Sequence, residues 1–149
     1  MMMISPGASH TIHYRVPPGR GVPDLYPDSP HFAAMPPVFA TGFLVGLMEW
    51  CCIDHLAPEL PEGCMSLGLG VDITHDAPCT EGAELDVECR CSAAGPKSVT
   101  WDVEVRCGDV VMGRGTHKRV IVDKSGFVAA VDEEAARRGW RPLRSGGPA

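Results

Sequence analysis

From Met65 onward the chain alternates between apolar and polar positions. In MSLGLGVDITH, residues Leu67, Leu69, Val71 and Ile73 hold one parity, and Ser66, Gly68, Gly70, Asp72 and Thr74 the other. ELDVECRC sets Leu85, Val87, Cys89 and Cys91 against Glu84, Asp86, Glu88 and Arg90. SVTWDVEVRC sets Val99, Trp101, Val103, Val105 and Cys107 against Thr100, Asp102, Glu104 and Arg106. A period of two with one apolar face predicts half-buried antiparallel strands. The turn signals AAGPKS and CGDV join neighbours as hairpins, and a last strand runs from Val110 to about Val122. Upstream, HTIHYRV (10–16) predicts a short strand. VFATGFLVGLMEWCCI does not alternate and predicts an apolar helix over about 38–56, stopped by Pro58 and the EGC turn. A strand, one long helix and four antiparallel strands make an α+β architecture, with the sheet wrapped around a central helix.

Seven of the 14 prolines lie between Pro17 and Pro37, so that segment is neither a long helix nor a central strand. It also carries Leu25, Tyr26, Phe32 and Met35, which a flexible linker has no use for. It reads as a structured lid loop over a pocket. On the helix, Gly42 and Gly46 lie one turn apart and predict a smooth stripe for close approach. Residues 1–123 form the single domain. The tail, 124–149, holds a weak helix in FVAAVDEEAARRG and then reads as disordered.

A chain of 149 residues suits one domain. Its formal charge of −6 argues against a nucleic-acid or membrane-surface binder, since either needs a basic face. The N-terminus lacks the basic and apolar regions of a signal peptide, and the helix is shorter than the roughly 20 residues that span a bilayer. None of the seven cysteines forms a CxxC pair. Zinc is therefore not expected, and the reading is free thiols in a reducing cytoplasm, used as small core residues.

One residue in the helix stands out. Glu49 is the only formal charge between Val38 and Ile53. A buried carboxylate costs several kcal/mol unless it is paired, hydrogen-bonded or kept protonated. Thr41, Val45 and Glu49 fall at i, i+4 and i+8, so Thr41 and Glu49 share a face two turns apart. His75 holds the parity of Leu67, Leu69, Val71 and Ile73 and so points toward the helix layer. An inward histidine and a carboxylate in an apolar helix are candidate partners for acid–base work. Plainer readings stand beside this one: Thr41 as the helix N-cap, Glu49 at a wet edge or a subunit contact, and His75 as a structural residue. His10, His13, His31, His55 and His117 are read as surface or structural.

Taken in order, LYPDSPHF, PPVFATGFLVGLMEWCC, the strand ending in THDAP, EGAELDV and GRGTHKRV resemble the fluoroacetyl-CoA thioesterase family of hotdog-fold enzymes, over about residues 10–123. The resemblance implies a homodimer with two sheets joined edge to edge, acyl-CoA bound near the interface, and no cofactor beyond the CoA of the substrate. It places the family's catalytic residues on Thr41, Glu49 and His75, and its substrate-contacting glycine and arginine on Gly82 and Arg119. It implies hydrolysis of short acyl-CoA thioesters. The specialised enzymes cover the acyl pocket with two phenylalanines from the lid. Here Phe32 holds the first position and Met35 the second, which puts selectivity for fluoroacetate in question but not hydrolysis. A thioester is already activated, so a nucleophile or activated water, a proton shuttle and an oxyanion site suffice. The N-terminal amides of the helix near Thr41 and Gly42 are candidates for the last of these. A hotdog hydratase or dehydratase and a non-catalytic acyl-CoA binder are the competing functions.

Overall fold

In a computed structural model, which describes residues 4–143, the alternating segments form one five-stranded antiparallel sheet. The strands are β1 (Ser9–Arg15), β2 (Cys64–His75), β3 (Glu84–Ala94), β4 (Ser98–Cys107) and β5 (Val110–Asp123), in the order β1-β3-β4-β5-β2. Pairing β2 with the last strand leaves β1 and β2 as the two edges. The inner face follows the alternation: Leu85, Val87, Cys89 and Cys91 of β3 and Val99, Trp101, Val103 and Val105 of β4 are all buried.

β2 departs from its pattern. The register with β5 slips between Gly68, opposite Arg119, and Gly70, opposite Lys118, so Leu69 is the extra residue of a bulge. Directly opposed residues share a face, so Gly68 lies on the inner side with buried Arg119, and Leu67, one position earlier, faces out. Beyond the bulge, Val71, Ile73 and His75 oppose His117, Gly115 and Gly113 and return to the inner side. The alternation placed Leu67 and Leu69 with Val71, Ile73 and His75. A bulge flanked by two glycines reverses parity, and only the second half of that set faces the helix. Leu69 and Val71 stand 61% and 46% exposed on this edge.

The central helix, α3, runs Thr41–Leu56, three residues shorter at its start than the apolar run. Val38 is a bend and Phe39 and Ala40 are extended instead, because the Phe39 amide bonds the Cys79 carbonyl at 2.8 Å and Phe39 bridges Gly21. Leu44, Leu47, Met48, Cys51, Cys52 and Leu56 recur at helical spacing and bury against the sheet. In the helix's last turn His55 Nδ1 accepts from the Trp101 indole N–H at 3.0 Å, latching helix to sheet. Burial, with His10 stacked alongside, pushes the His55 pKa down, so the ring holds the neutral form that this acceptor role needs.

The proline-rich lid is ordered by two one-turn helices, α1 (Val22–Leu25) and α2 (Pro30–Ala33), each with proline in its first turn. Leu25 leans on the start of α3, where a β-carbon on Gly42 would lie 2.6 Å from Leu25 Cδ2. Gly42 is thus the point of close approach predicted from the stripe, whereas nothing lies within 4 Å of a β-carbon on Gly46. The tail helix, α4 (Lys124–Arg138), is a full four turns, started by Asp123 Oδ2 accepting from the Gly126 amide at 2.7 Å and ended by left-handed Gly139. Of the end read as disordered, 140–143 fold back on α4, the Trp140 amide bonding the Ala135 carbonyl at 2.9 Å and the Leu143 amide Asp132 Oδ1 at 2.6 Å, and 144–149 lie outside the described residues. No helix among the described residues is long and apolar enough to cross a membrane.

The contrast between the two helical glycines gives a test of the fold. Gly46→Ala removes a helix-interior glycine into open space, so the urea midpoint should rise by the equivalent of about 0.5–1 kcal/mol. Gly42→Ala carries the same propensity gain but must displace Leu25, and should gain nothing or lose stability. Equal gains would mean that α1 does not rest on the helix.

Candidate active site

Two polar clusters lie along α3, one at its N-terminus and one two turns on. At the first, the helix is entered through Ala40, which takes the N-cap position with no side-chain bond. Thr41 is therefore not the cap, and its hydroxyl is free for another partner. That partner is His75 at the end of β2, with Oγ1 2.7 Å from Nδ1. With the imidazole proton on Nε2, the hydroxyl donates to Nδ1, the arrangement of a hydroxyl beside a general base. Thr41 is exposed, and a shallow depression of about 200 Å³ lined by His75, Asp76, Ala77 and Pro78 opens beside it. Helix geometry leaves the first-turn amides of Thr41, Gly42 and Phe43 without intrahelical acceptors, a donor set suited to a developing oxyanion.

At the second cluster, Glu49 Oε2 accepts from Arg119 Nη1 at 3.2 Å. Arg119 is only 5% exposed, so it is a buried guanidinium and not one of the solvated basic residues usual on a last strand. Its donors are spread over three elements: Nε to Ser66 Oγ at 2.8 Å, Nη2 to the Ser66 carbonyl at 3.1 Å, and Nη1 to both Glu49 and His117 Nε2 at 3.2 Å. His117 is 2% exposed, lies 2.9 Å from the Gly70 carbonyl through Nδ1, and stacks on Trp101. Burial, reinforced by the Arg119 charge, pushes its pKa down and keeps the ring neutral. Gly68 completes the cluster by lacking a side chain. A β-carbon there would sit 2.8 Å from Glu49 Oε2 and 3.4 Å from Arg119 Nη1.

Pairing Glu49 with His75 was the expectation from sequence. Within one chain each has a different partner: Arg119 for Glu49 and Thr41 for His75. Glu49 lies eight positions after Thr41 on the helix, about 12 Å along the axis, which no pair of short side chains spans. Gly82 is not brought to either cluster. It is a turn residue with φ +96°, its amide bonded to the Val16 carbonyl at 2.8 Å. Gly68, His117 and Ser66 were missed. The signal for His117 was present in THKRV, where residues 117 and 119 share a strand face. Gly68 was hidden by the bulge beside it. In the lid, Phe32 packs at a tilt on Tyr26 with 5.6 Å between ring centres, and Met35 is 52% exposed.

The seven cysteines are all free thiols. Contact with Cys89 and burial push the Cys51 thiol up, and burial does the same for Cys79, so neither offers a thiolate nucleophile.

The five-stranded antiparallel sheet and its one long helix make an α+β hotdog fold, and by its relatives the chain is an acyl-CoA thioesterase of that fold. More narrowly, it belongs to the fluoroacetyl-CoA-specific thioesterase family, whose sequence profile matches residues 28–125. It is similar to the fluoroacetyl-CoA thioesterase of Streptantibioticus cattleyicolor, with 39% identity over 86% of this chain and 92% of that one. The solved structure of the fluoroacetyl-CoA thioesterase FlK superposes with a TM-score of 0.85 at 38% identity, covering 88% of this chain and 97% of that one. A hot-dog-like protein from Thermanaerovibrio acidaminovorans shares the fold, with a TM-score of 0.74 at 18% identity over 88% of this chain and 93% of that one.

Proposed function

We propose that the chain hydrolyses short-chain acyl-CoA thioesters with Thr41, Glu49 and His75 as its catalytic set, and needs no cofactor beyond the CoA of its substrate. The observation that carries this reading is the 2.7 Å contact between Thr41 Oγ1 and His75 Nδ1 at the N-terminus of α3. A thioester carbonyl held over that terminus directs its developing negative charge at the amides of the first helical turn. His75 takes a proton from Thr41 or from the attacking water and returns it to the departing CoA sulfur as the C–S bond breaks. Water supplies the remaining oxygen, and the products are a carboxylic acid and a thiol.

Glu49 joins this chemistry through a second copy of the chain. The outer edge of β2 is unpaired and apolar, with Leu69 and Val71 exposed, and such an edge invites isologous pairing across a two-fold axis. Two antiparallel copies of α3 then run side by side, and Glu49 of one copy faces the Thr41–His75 pair of the other. This arrangement resolves the separation of about 12 Å within a single chain, and it makes Arg119 the residue that holds the carboxylate in place, near enough to meet substrate.

Complementation tests the whole reading. Glu49→Gln and His75→Ala should each lower thiol release from acetyl-CoA by orders of magnitude, and the double variant by little more. Refolding the two single variants together should restore about a quarter of wild-type activity. Half of the randomly mixed dimers are heterodimers, and each has one intact site of two. No recovery, with dimers present by light scattering, would place Glu49 and His75 of one copy in the same site. With enoyl-CoA as substrate, release of free thiol reports hydrolysis, whereas loss of the enoyl absorbance without thiol release reports hydration.

The lid sets acyl preference in this reading. Met35 is unbranched and repacks around varied groups, whereas a phenyl ring closes a small pocket in one shape. One such contact is worth about 1–3 kcal/mol, or roughly 10- to 200-fold in discrimination. The wild type should therefore accept several short acyl-CoAs, and Met35→Phe should raise the kcat/KM ratio of fluoroacetyl- over butyryl-CoA. An unchanged ratio would remove residue 35 from the acyl pocket.

A further inference from the structure

His117 has no part in the chemistry described above, yet it is almost fully buried and contacts the residue that holds Glu49. Its two ring nitrogens face different groups: Nδ1 meets the Gly70 carbonyl at 2.9 Å, and Nε2 meets Arg119 Nη1 at 3.2 Å. A carbonyl only accepts and a guanidinium only donates. Only one of the three imidazole states satisfies both contacts, the neutral ring protonated on Nδ1. The other neutral tautomer sets a lone pair against the carbonyl and an N–H against the guanidinium. The charged ring sets a cation against a cation in a nearly water-free position.

We infer that His117 is a positioning residue for Glu49: pinned by Gly70 in its Nδ1–H tautomer, it accepts one Arg119 Nη1 proton and so aims the other at the carboxylate. The four contacts of Arg119 divide into two kinds. Ser66 holds Nε and Nη2 through its hydroxyl and carbonyl, which fixes one edge of the guanidinium and leaves rotation about that edge. Nη1 carries two protons, one for His117 and one for Glu49, so the histidine determines where the second one points. The charged and titratable groups facing the ring are Arg119 from β5 and Glu49 from α3. β4 contributes the Trp101 face, stacked at 18° with 6.4 Å between ring centres, and β2 contributes only a backbone carbonyl. Gly70 directly follows the bulge, so the same histidine ties the reversed edge strand to the carboxylate. The inference rests on the reading of Glu49 as catalytic, but its structural half stands without it.

The first test uses the unaltered protein. Long-range proton–nitrogen NMR of ¹⁵N-histidine-labelled enzyme at neutral pH should show one ring with a protonated Nδ1 and an unprotonated Nε2, assigned to His117 by its loss in His117→Gln. An Nε2–H tautomer or a charged ring would overturn the inference. The second test compares two unbranched replacements of similar length. The Gln carbonyl oxygen can stand in for the Nε2 acceptor, and the Met thioether cannot. His117→Gln should keep kcat within about 3-fold of wild type, while His117→Met loses about 10- to 100-fold in kcat with little change in KM, the usual size of effect for a group that orients another. A Met variant as fast as wild type, or a Gln variant no faster than Met, would contradict it. If Glu49→Gln itself turns over normally, the catalytic reading fails, and the tautomer still decides whether His117 orients Arg119.

Discussion

A guanidinium cannot be buried unless its donors are occupied, because an isolated charge in a low-dielectric interior costs far more than a domain's net stability supplies. Arg119 meets this condition with acceptors from three elements. Glu49 comes from the central helix, the Ser66 hydroxyl and carbonyl from the edge strand, and His117 from two residues back on its own strand. Because Arg119 is a planar fork and not a point charge, it fixes direction as well as distance. The register of α3 against β2 and β5 follows from it. Gly68 follows too, since any side chain at that position would occupy the space where the carboxylate meets the guanidinium.

The same constraint explains how a single apolar helix serves two purposes. Leu44, Met48, Cys51, Cys52 and Leu56 bury one side of it in the sheet, and the Trp101–His55 bond anchors its last turn. Thr41 and Glu49 project along a second line, near the sheet edge. At one end of this line lies the hydroxyl–imidazole pair, and at the other a carboxylate held by a buried cation. A helix rise of 1.5 Å per residue keeps these two ends about 12 Å apart in one chain. In the proposed reading, a second copy paired on the open β2 edge brings the two ends to one carbonyl.

Much of this was legible from residue patterns. β3 and β4 alternate without interruption, and every inner residue expected of them from Leu85 to Cys91 and from Val99 to Val105 is buried. His75 pointing inward was also legible, although for Leu67 and Leu69 the same parity argument fails. A bulge conserves the count of residues but not their facing, and the flanking Gly68 and Gly70, read as outward polar positions, were the marks of it. The importance of Glu49 was visible because a lone charge in an apolar helix demands a partner. The identity of that partner was not, since β5 pairs with β2 only in three dimensions and nothing local distinguishes Arg119 from a solvated arginine. Gly82 occupies a left-handed turn that satisfies a backbone need, and the glycine that lies against the carboxylate is Gly68.

The central claim is that Arg119 and Glu49 act as one unit, and a double-mutant cycle measures that directly. Glu49→Gln, Arg119→Met and the double variant would be compared by urea unfolding. Each single change leaves a polar group without its counterpart, and the second change relieves the first. The account predicts a coupling of about 1–3 kcal/mol, smaller than for a pair sealed from water because the Glu49 side chain keeps 36% of its exposure. Effects that add to within about 0.5 kcal/mol would show that the two residues are neighbours without being partners.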